Sequence, residues 1–334
     1  MLDERKAAIL RAVVEEYIET AQPVGSGHVA AAPGVDVSSA TVRNEMAQLE
    51  ADGYLLQPHT SAGRVPTEKG YRFFVDHLRG PVDLPGASAG QVRAFFQRAH
   101  GEVEDMLAAT GRLLSNLTDL ASVVVSPSSS EATVRSVQLV GLTTSSALVV
   151  LVLSDGTVEK HAIEVPAGVG VERLGAATAH LSLHLQDIAR SKLPAVPATG
   201  DESTDMLVAR AAGVLSLEEA GTEINHVYVG GTARVAQAFD AIETVRSVLG
   251  ILEQQYVVVT LLRDVLDRGL HVAIGTETGV PPLAECALVV APYEFEGERL
   301  GTIGVLGPTR MNYPQALAAV AVVSDRLSDR LAEG

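Results

Sequence analysis

The residues best suited to chemistry lie close together at positions 38–44, where hydroxyl, guanidinium and amide side chains follow one another. On a helix that turns about 100° per residue, Val42, Met46 and Leu49 form one apolar stripe, and Asn44 faces away from it. In a major groove a guanidinium can bridge guanine and an amide can bridge adenine, and a helix amino terminus can accept a phosphate. The predicted groove and backbone contacts are Ser38, Ser39, Thr41, Arg43 and Asn44. The alternative is an ordinary surface helix with one arginine.

A polar loop at residues 57–64 adds a second group of candidates. Small and hydroxyl-bearing residues at its tip, flanked by basic side chains, would let the loop lie along a DNA backbone or in a minor groove. The predicted loop contacts are His59, Ser61 and Arg64, and Lys69 and Arg72 are further candidates for phosphate contact. The alternative is an exposed hairpin that binds nothing.

The remaining chemistry-bearing residues lack the patterns of catalytic and metal sites. His180 and His184 are four residues apart, but the glutamate that follows the first histidine in metalloproteases is missing. Cys286 begins an apolar strand and is expected to be a buried structural thiol. We therefore predict no catalytic residue, no metal and no cofactor. An enzyme fused to a DNA-binding module stays an alternative, although no catalytic constellation supports it.

The charge of the chain restricts how it can hold DNA. Its 334 residues carry 25 Lys and Arg against 41 Asp and Glu, a formal net charge of −16. Residues 1–80 carry 8 basic and 11 acidic side chains, and so a charge of −3. Any contact with nucleic acid must therefore be local, and useful affinity needs two copies of the module on a two-fold site.

Composition also indicates the compartment. A single cysteine leaves no disulfide framework within the chain, and this fits a reducing cytosol. The longest apolar runs, such as residues 147–153, are as short as a strand and far shorter than a bilayer span. We therefore expect a cytoplasmic protein with no membrane partner.

Three helices and a strand pair are predicted in the first block, residues 1–80. After a first amphipathic helix, Ser26 would cap a short second helix through Ala32. Ser38 would cap the third helix, which runs to about Asp52. Two short strands joined by the polar loop follow, and Thr67 starts another helix. This order is typical of a winged helix-turn-helix.

A mixed helix and strand body is predicted beyond a Gly- and Pro-rich linker at 79–90. Apolar spacing indicates one long amphipathic helix at 91–123. Further helices are predicted at 171–191, 204–220, 233–267 and 313–331. Strands are predicted at 133–142, 147–153, 158–165, 226–229, 270–274, 287–293 and 299–306. The pair Asp155-Gly156 is typical of a hairpin turn.

Several long motifs resemble one known family. They are AILRAVVEEYIETAQPVGS (8–26), VSSATVRNEM (37–46), GYL (53–55), QPHTSAGRVPTEKGYRFFVD (57–76), IGTET (274–278) and GTIGVLGPTRMNYPQAL (301–317). Together they closely resemble the heat-inducible transcription repressor family, HrcA. The match reaches towards both ends of the chain, whereas residues 165–225 match only loosely.

The resemblance implies an α+β multidomain protein with an N-terminal winged helix-turn-helix and a GAF-like α/β domain that carries an inserted dimerisation domain. The boundaries would be 1–80 for the winged helix, 81–125 for a linker and long helix, 126–165 with 226–334 for the GAF-like domain, and 166–225 for the insertion. It also implies a homodimer that represses chaperone operons by binding double-stranded DNA at an inverted-repeat operator, the CIRCE element. The GroE chaperonin would promote the active form. The alternative is a winged-helix regulator that responds to a small molecule bound in the GAF-like domain.

Overall fold

A computed structural model of the chain describes residues 2–60, 62–78, 84–98, 103–126, 132–154, 158–166, 169–217, 226–239, 241–269, 271–295 and 298–333. These residues divide into two units. The first unit joins residues 1–99, 108–124 and 227–334, and the second joins residues 100–107 and 125–226. Both units mix helices and strands.

Four helices and a two-stranded sheet form the start of the first unit, residues 3–78, which we call the head. The helices are α1 (Glu4–Thr20), α2 (Ser26–Ala30), α3 (Ser39–Ala51) and α4 (Glu68–Asp76), and the antiparallel strands are β1 (Leu55–Leu56) and β2 (Val65–Pro66). Side-chain oxygens of Asp3, Ser38 and Thr67 each accept the amide three residues later, so α1, α3 and α4 begin with a cap.

The hydrophobic core of the head lies around α1, which packs against α3 and α4. Ile9, Leu10 and Val13 of α1 are fully buried, and so are Val42 and Leu49 of α3. Their spacing of three or four residues puts them on one side of each helix. Each such side chain contributes about 1.5–3 kcal/mol by leaving water, so packing holds α3 in a fixed orientation.

The elements beyond the head follow in chain order. They are α5 (Gly86–Arg98), α6 (Val103–Thr118), β3 (Ala121–Val125), β4 (Val134–Gly141), β5 (Ser146–Leu153), β6 (Val158–Glu164), α7 (Val171–Leu185), α8 (Glu202–Leu217), β7 (Val227–Gly230), α9 (Thr232–Ala238), α10 (Ile242–Leu252), α11 (Gln255–Asp267), β8 (Val272–Ile274), β9 (Cys286–Phe295), β10 (Glu298–Pro308) and α12 (Tyr313–Glu333).

A five-stranded sheet forms the centre of the rest of the first unit, which we call the sheet body. Its strands lie in the order β7-β3-β10-β9-β8. Strands β9 and β10 form a long antiparallel hairpin in which Val290 lies opposite Gly304. Residues 287–290 of β9 are each at most 1% exposed. Because neighbouring residues of a strand point to opposite faces, both faces of β9 are covered; α11 and α12 pack against it.

The second unit contains a three-stranded antiparallel sheet in the order β4-β5-β6, with α7 and α8. Burial alternates along β5: Val149, Leu151 and Leu153 are fully buried, and the residues between them are half-buried. Leu181 of α7 and Leu207 of α8 belong to the same hydrophobic core. The sheet therefore turns one face towards its two helices.

The helix predicted at 91–123 is wrong at its carboxyl end. Helix α6 ends at Thr118, Asp119 has a left-handed backbone (φ 58°), and Ala121–Val125 forms a strand. All five residues of this strand are buried. A short, fully buried apolar run fits a helix and a strand equally well by periodicity, which explains the error.

Two more predicted helices differ from those in the structure. The helix predicted at 233–267 is three helices, because Phe239, Ala241 and Gln254 leave the helical conformation. The helix predicted at 171–191 ends at Leu185. Continuous apolar patterning hid these breaks, since no proline or glycine marks them.

Other predictions of local structure have mixed outcomes. Ser26 does not cap the second helix; Gly25 precedes that helix without a side-chain cap, and the Ser26 hydroxyl bonds to Ser39 at 3.1 Å. The predicted strands are confirmed within a few residues. Helix α5 begins inside the predicted linker, whereas residues 79–83 of that linker and the turn Asp155-Gly156 lie outside the described residues.

Within the described part of the chain, the helices are too short or too polar to cross a membrane one by one. Helices α10 and α11, which meet at 92°, reach the required apolarity only when taken together.

Candidate nucleic-acid interface

Helix α3 turns its polar side to the surface. Val42, Met46 and Leu49 are buried, which confirms the predicted apolar stripe. Arg43 and Asn44 are exposed on the other side. Neither side chain makes a hydrogen bond or an ion pair within the ranges that the structure describes. Both are therefore free to reach a base edge or a phosphate.

The amino end of α3 is fixed by hydroxyl groups. The Ser38 hydroxyl accepts the Thr41 amide at 3.3 Å and lies 3.0 Å from the Thr41 hydroxyl. The Ser39 hydroxyl bonds to Ser26 on α2. The remaining first-turn amides of a helix have no partner inside it, so this end can hold a phosphate. Ala40, on the same turn, is exposed and small enough for close approach to a groove.

The loop between β1 and β2 is held at its base. The Gln57 side-chain amide donates to the carbonyls of Thr60 and Ala62, both at 3.0 Å. Gly63 lies close to the backbone segment that precedes α2. An added Cβ at Gly63 would be 2.3 Å from the Val24 carbonyl oxygen. His59 is exposed at the tip. Ser61, a predicted contact, lies outside the described residues.

The guanidinium of Arg64 already has an acidic partner in the head. Its Nε donates to Glu50 on α3 at 2.8 Å, and the two side chains are 17% and 33% exposed. Backbone hydrogen bonds of 2.9 Å in both directions also join Arg64 to Val24. A phosphate contact by Arg64 stays a prediction, and it requires the phosphate to compete with Glu50.

Lys69 lies on the exposed side of α4. Its ammonium donates to the Asp52 carbonyl at 2.8 Å and stands 4.2 Å from the centre of the Tyr54 ring. These contacts keep the cation at the surface near the carboxyl end of α3. Its phosphate contact also stays a prediction.

Arg72 points towards the sheet body. Its Nε donates to Glu277 at 2.9 Å, and an Nη donates to the Val272 carbonyl at 2.8 Å. Burial disfavours the charged form, but the hydrogen bond and the negative charge of Glu277 outweigh it and raise the pKa of Arg72. The guanidinium therefore remains charged and engaged with the body. The phosphate contact predicted for Arg72 stays a prediction.

The residues set aside in the sequence have structural partners. His180 lies 2.7 Å from the Pro197 carbonyl and His184 lies 2.9 Å from the His180 carbonyl. Cys286 is fully buried, and burial raises the pKa of its thiol to about 12. Among the described residues, no three His, Cys, Asp or Glu side chains are grouped as metal ligands would be.

Comparison with known proteins places the chain in a family. The family model described as "HrcA protein C terminal domain" matches residues 104–317. The heat-inducible transcription repressor HrcA of Pelotomaculum thermopropionicum is 36% identical, over 99% of this chain and 97% of that protein. The repressor of the same name from a Nocardioides species is 38% identical over the full length of both. The chain belongs to the HrcA family.

Members of the HrcA family carry the name of heat-inducible transcription repressors, so the chain is a repressor in the heat-shock response and not an enzyme. DNA binding follows from that role. A crystal structure at 2.2 Å resolution, described only as that of a hypothetical protein, has the same fold. Its TM-score is 0.68 at 21% identity, and the match covers 100% of this chain and 99% of that one.

The HrcA-like motifs near the carboxyl end form part of the sheet body. Residues 301–317 complete β10 and begin α12, where the Asn312 side chain accepts the Gln315 amide at 3.1 Å. The motif at 274–278 supplies Glu277, the partner of Arg72. Sequence reasoning missed this pairing. The only available signal was that both residues lie inside motifs shared with the HrcA family.

Proposed function

We propose that this chain represses heat-shock chaperone operons by binding an inverted-repeat, CIRCE-type operator as a homodimer. The head would be the reading module, a winged helix-turn-helix whose α3 enters the major groove. The observation that carries this proposal is the exposed face of α3, where the side chains of Arg43 and Asn44 make no hydrogen bond or ion pair with other described residues. A free guanidinium and a free amide on a rigid helix suit bidentate contacts with guanine and adenine.

The other contacts would place the head on the DNA backbone. The amino end of α3, with Ser38, Ser39 and Thr41, would hold one phosphate. The loop with His59, Ser61 and Arg64 would follow a neighbouring strand. Lys69 would contribute a phosphate contact at the surface. Arg64 and Lys69 would each exchange a partner in the protein for a phosphate, so these contacts would add less affinity than free cations.

Charge supports the need for two copies. Residues 1–80, which contain the head, have a net charge of −3 and the whole chain −16, so non-specific attraction to DNA is weak. Two heads joined in one dimer raise the effective concentration of the second head once the first has bound. Half-sites one helical turn apart, about 34–36 Å, or a multiple of it, would match such a dimer.

The proposed domains are a winged helix at 1–80, a linker and helix at 81–125, a discontinuous GAF-like domain, and an inserted dimerisation region. The sequence put the insertion at 166–225. Residues 134–165 share one hydrophobic core with α7 and α8, and the second unit covers 125–226 as well as 100–107. This packing supports an insertion that starts near residue 125, with 227–334 left to the GAF-like domain.

A chaperonin of the GroE type would promote the DNA-binding state. Domain stability is only about 5–15 kcal/mol, so moderate heating can loosen the packing that keeps two heads in place. A chaperonin that returns loosened chains to the folded dimer would then couple repression to the amount of free chaperonin. The support for this step is the family resemblance.

The decisive test is a gel shift with an inverted-repeat probe from a chaperone operon, with and without chaperonin. The full chain should retard this probe at lower concentration than a probe with one half-site, and chaperonin should increase the active fraction. A chain that lacks residues 1–80 should not bind. Equal binding of that truncated chain would overturn the proposal.

A regulator that responds to a small molecule is the second candidate. A groove of about 930 Å³ runs along the sheet body and is lined by residues of β9 and α12. A ligand in this groove would raise the melting temperature by mass action. A thermal-shift screen with a panel of metabolites therefore separates this candidate from regulation by the chaperonin alone.

A further inference from the structure

Helix α4 is joined to the sheet body by a set of polar contacts that we call the clasp: Glu68, Arg72, Thr276 and Glu277. Arg72 donates to both carboxylate oxygens of Glu277, one of them at 2.9 Å, and also to the carbonyl of Val272 at 2.8 Å. Glu68, one turn earlier on α4, accepts the Thr276 amide at 3.1 Å and the Thr276 hydroxyl at 2.6 Å. The clasp therefore fixes α4 at two points. At one point α4 contributes the cation of Arg72, and at the other it contributes the anion of Glu68.

The body side of the clasp is held by hydrogen bonds within the sheet body itself. Glu277 also accepts the amide of Ile274 at 2.9 Å, within its own short 3₁₀ turn (Gly275–Thr278). Arg268, the residue that follows α11, donates to the Glu277 carbonyl at 2.8 Å. The turn is thus held by the sheet body, so the carboxylate of Glu277 is preorganised for the planar guanidinium of Arg72.

A glycine makes the close approach possible. Gly275 has a left-handed backbone (φ 57°), and a Cβ there would lie 2.1 Å from the Glu68 carboxylate. Beside the polar contacts, the rings of Tyr71 on α4 and Tyr313 on α12 lie 5.9 Å apart. Both side chains are buried, at 3% and 0% exposed. The head therefore meets the body through directional bonds and a packed aromatic pair.

We infer that the clasp sets the angle of the head on the sheet body, and that Glu68, Arg72 and Glu277 are positioning residues for recognition of a two-fold operator. Arg72 then acts on DNA through Glu277 and not through a phosphate. The inference rests on the proposed function, because an angle matters only when two heads must bind together. A released head would still read one half-site, but it would lose the fixed spacing between the two.

The rival assignment gives Arg72 to a DNA phosphate, and the two assignments predict opposite effects of one substitution. Glu277→Gln keeps an acceptor for the Ile274 amide and removes the charge that holds Arg72. If Arg72 binds phosphate, this change frees it and strengthens binding to every DNA. If the clasp positions the head, the same change weakens binding to the inverted repeat and leaves half-site binding as it was.

The test uses the full-length chain and fluorescence anisotropy with three duplexes: a half-site, the inverted repeat, and the inverted repeat with its spacer lengthened by about half a helical turn, roughly 5 base pairs. For Glu277→Gln and for Glu68→Ala we expect the inverted repeat to bind about tenfold more weakly, which is about 1.4 kcal/mol. Half-site affinity should stay within about twofold, and the penalty for the longer spacer should shrink, because a loosely held head tolerates more spacings.

Asp76→Asn is the matched control. Asp76 contacts Arg72 at 3.4 Å within α4 but makes no hydrogen bond or ion pair with described residues of the sheet body, so all three affinities should equal those of the original chain. Circular dichroism melts verify that each variant is folded, and Glu68→Ala tests the other half of the clasp if Glu277→Gln unfolds the turn.

Two results would overturn the inference. One is tighter binding of Glu277→Gln to all three duplexes. The other is that both clasp variants keep the original preference for the inverted repeat over the half-site and the original penalty for the longer spacer. A different result would contradict the proposed function itself. If the original chain binds the half-site and the inverted repeat equally, paired binding is wrong, and the inference that rests on it is wrong too.

Discussion

At the scale of single residues, the proposed base recognition depends on two side chains, Arg43 and Asn44, that make no hydrogen bond or ion pair with other described residues. Asn44→Ala removes the only exposed amide in the first half of α3. It should weaken binding to the operator by about 1–3 kcal/mol and relax the preference at one base pair. Competition binding with operators that carry single base-pair changes measures both effects. Equal losses on operator and random DNA would contradict a base contact.

Gly63 gives a second test at this scale, on folding. A Cβ at Gly63 would collide with the Val24 backbone at 2.3 Å, and backbone cannot move aside as a side chain does. Gly63→Ala should therefore destabilise the head by about 1–3 kcal/mol, the usual effect of overpacking. Chemical denaturation followed by circular dichroism measures the change.

The matched control for Gly63 is Gly27→Ala. An added Cβ at Gly27, within α2, meets nothing within 4 Å. This variant should be unchanged or more stable by up to about 1 kcal/mol, because alanine favours a helix and restricts the unfolded chain. Equal destabilisation by both variants would show that the contact with Val24 is not the cause.

At the scale of elements, the β9 and β10 hairpin carries a built-in reporter. Burial raises the pKa of Cys286 to about 12, so the thiol stays neutral and unreactive at pH 8 while the sheet is closed. Because the folded state holds the thiol proton of Cys286 more tightly, the raised pKa contributes to the free energy of unfolding. This contribution is fully present below the ordinary thiol pKa of about 8.5 and is lost as the pH rises from there towards 12.

Alkylation therefore measures opening of the sheet. With iodoacetamide at pH 8, Cys286 should react slowly at growth temperature and fast once heating or denaturant opens β9. Mass spectrometry follows the reaction, and a fully denatured sample gives the limiting rate. A native-state rate equal to that limit would mean that the thiol is not protected.

Element prediction from the sequence succeeded where a local signal accompanies the pattern. Helix α3 has a serine cap and one apolar stripe, and both appear as expected. The strand Ala121–Val125 was missed because its hydrogen-bonding neighbours are the distant strands β7 and β10, which no local pattern contains. The breaks around α10 were missed for lack of a local signal, since neither proline nor glycine stands at them.

The candidate site was predictable in type but not in pairing. The sequence indicated the exposed face that carries Arg43 and Asn44, because a helix of known period needs only its apolar stripe to be oriented. It could not show that Arg64 is paired with Glu50, or Arg72 with Glu277, 205 residues away. Such pairs depend on tertiary contacts that charge counts do not contain.

At the scale of the whole molecule, heat should act on the arrangement of two heads before it unfolds each head. We expect operator affinity and dimer content to fall together on heating, while half-site binding by the heads persists to a higher temperature. Analytical ultracentrifugation and anisotropy over the same temperature range measure the two. A chain that keeps full dimer content and full operator affinity when hot would contradict direct thermal sensing and leave regulation to the chaperonin.

The contact between Tyr71 and Tyr313 has a consequence for synthesis of the protein. A nascent chain emerges from its amino end, so the head can fold long before α12 leaves the ribosome. Until then Tyr313 cannot pack against Tyr71, and the head is not yet held on the sheet body. The head therefore reaches its fixed orientation on the sheet body only after α12 has been translated, and the proposed paired binding of two heads can begin only then.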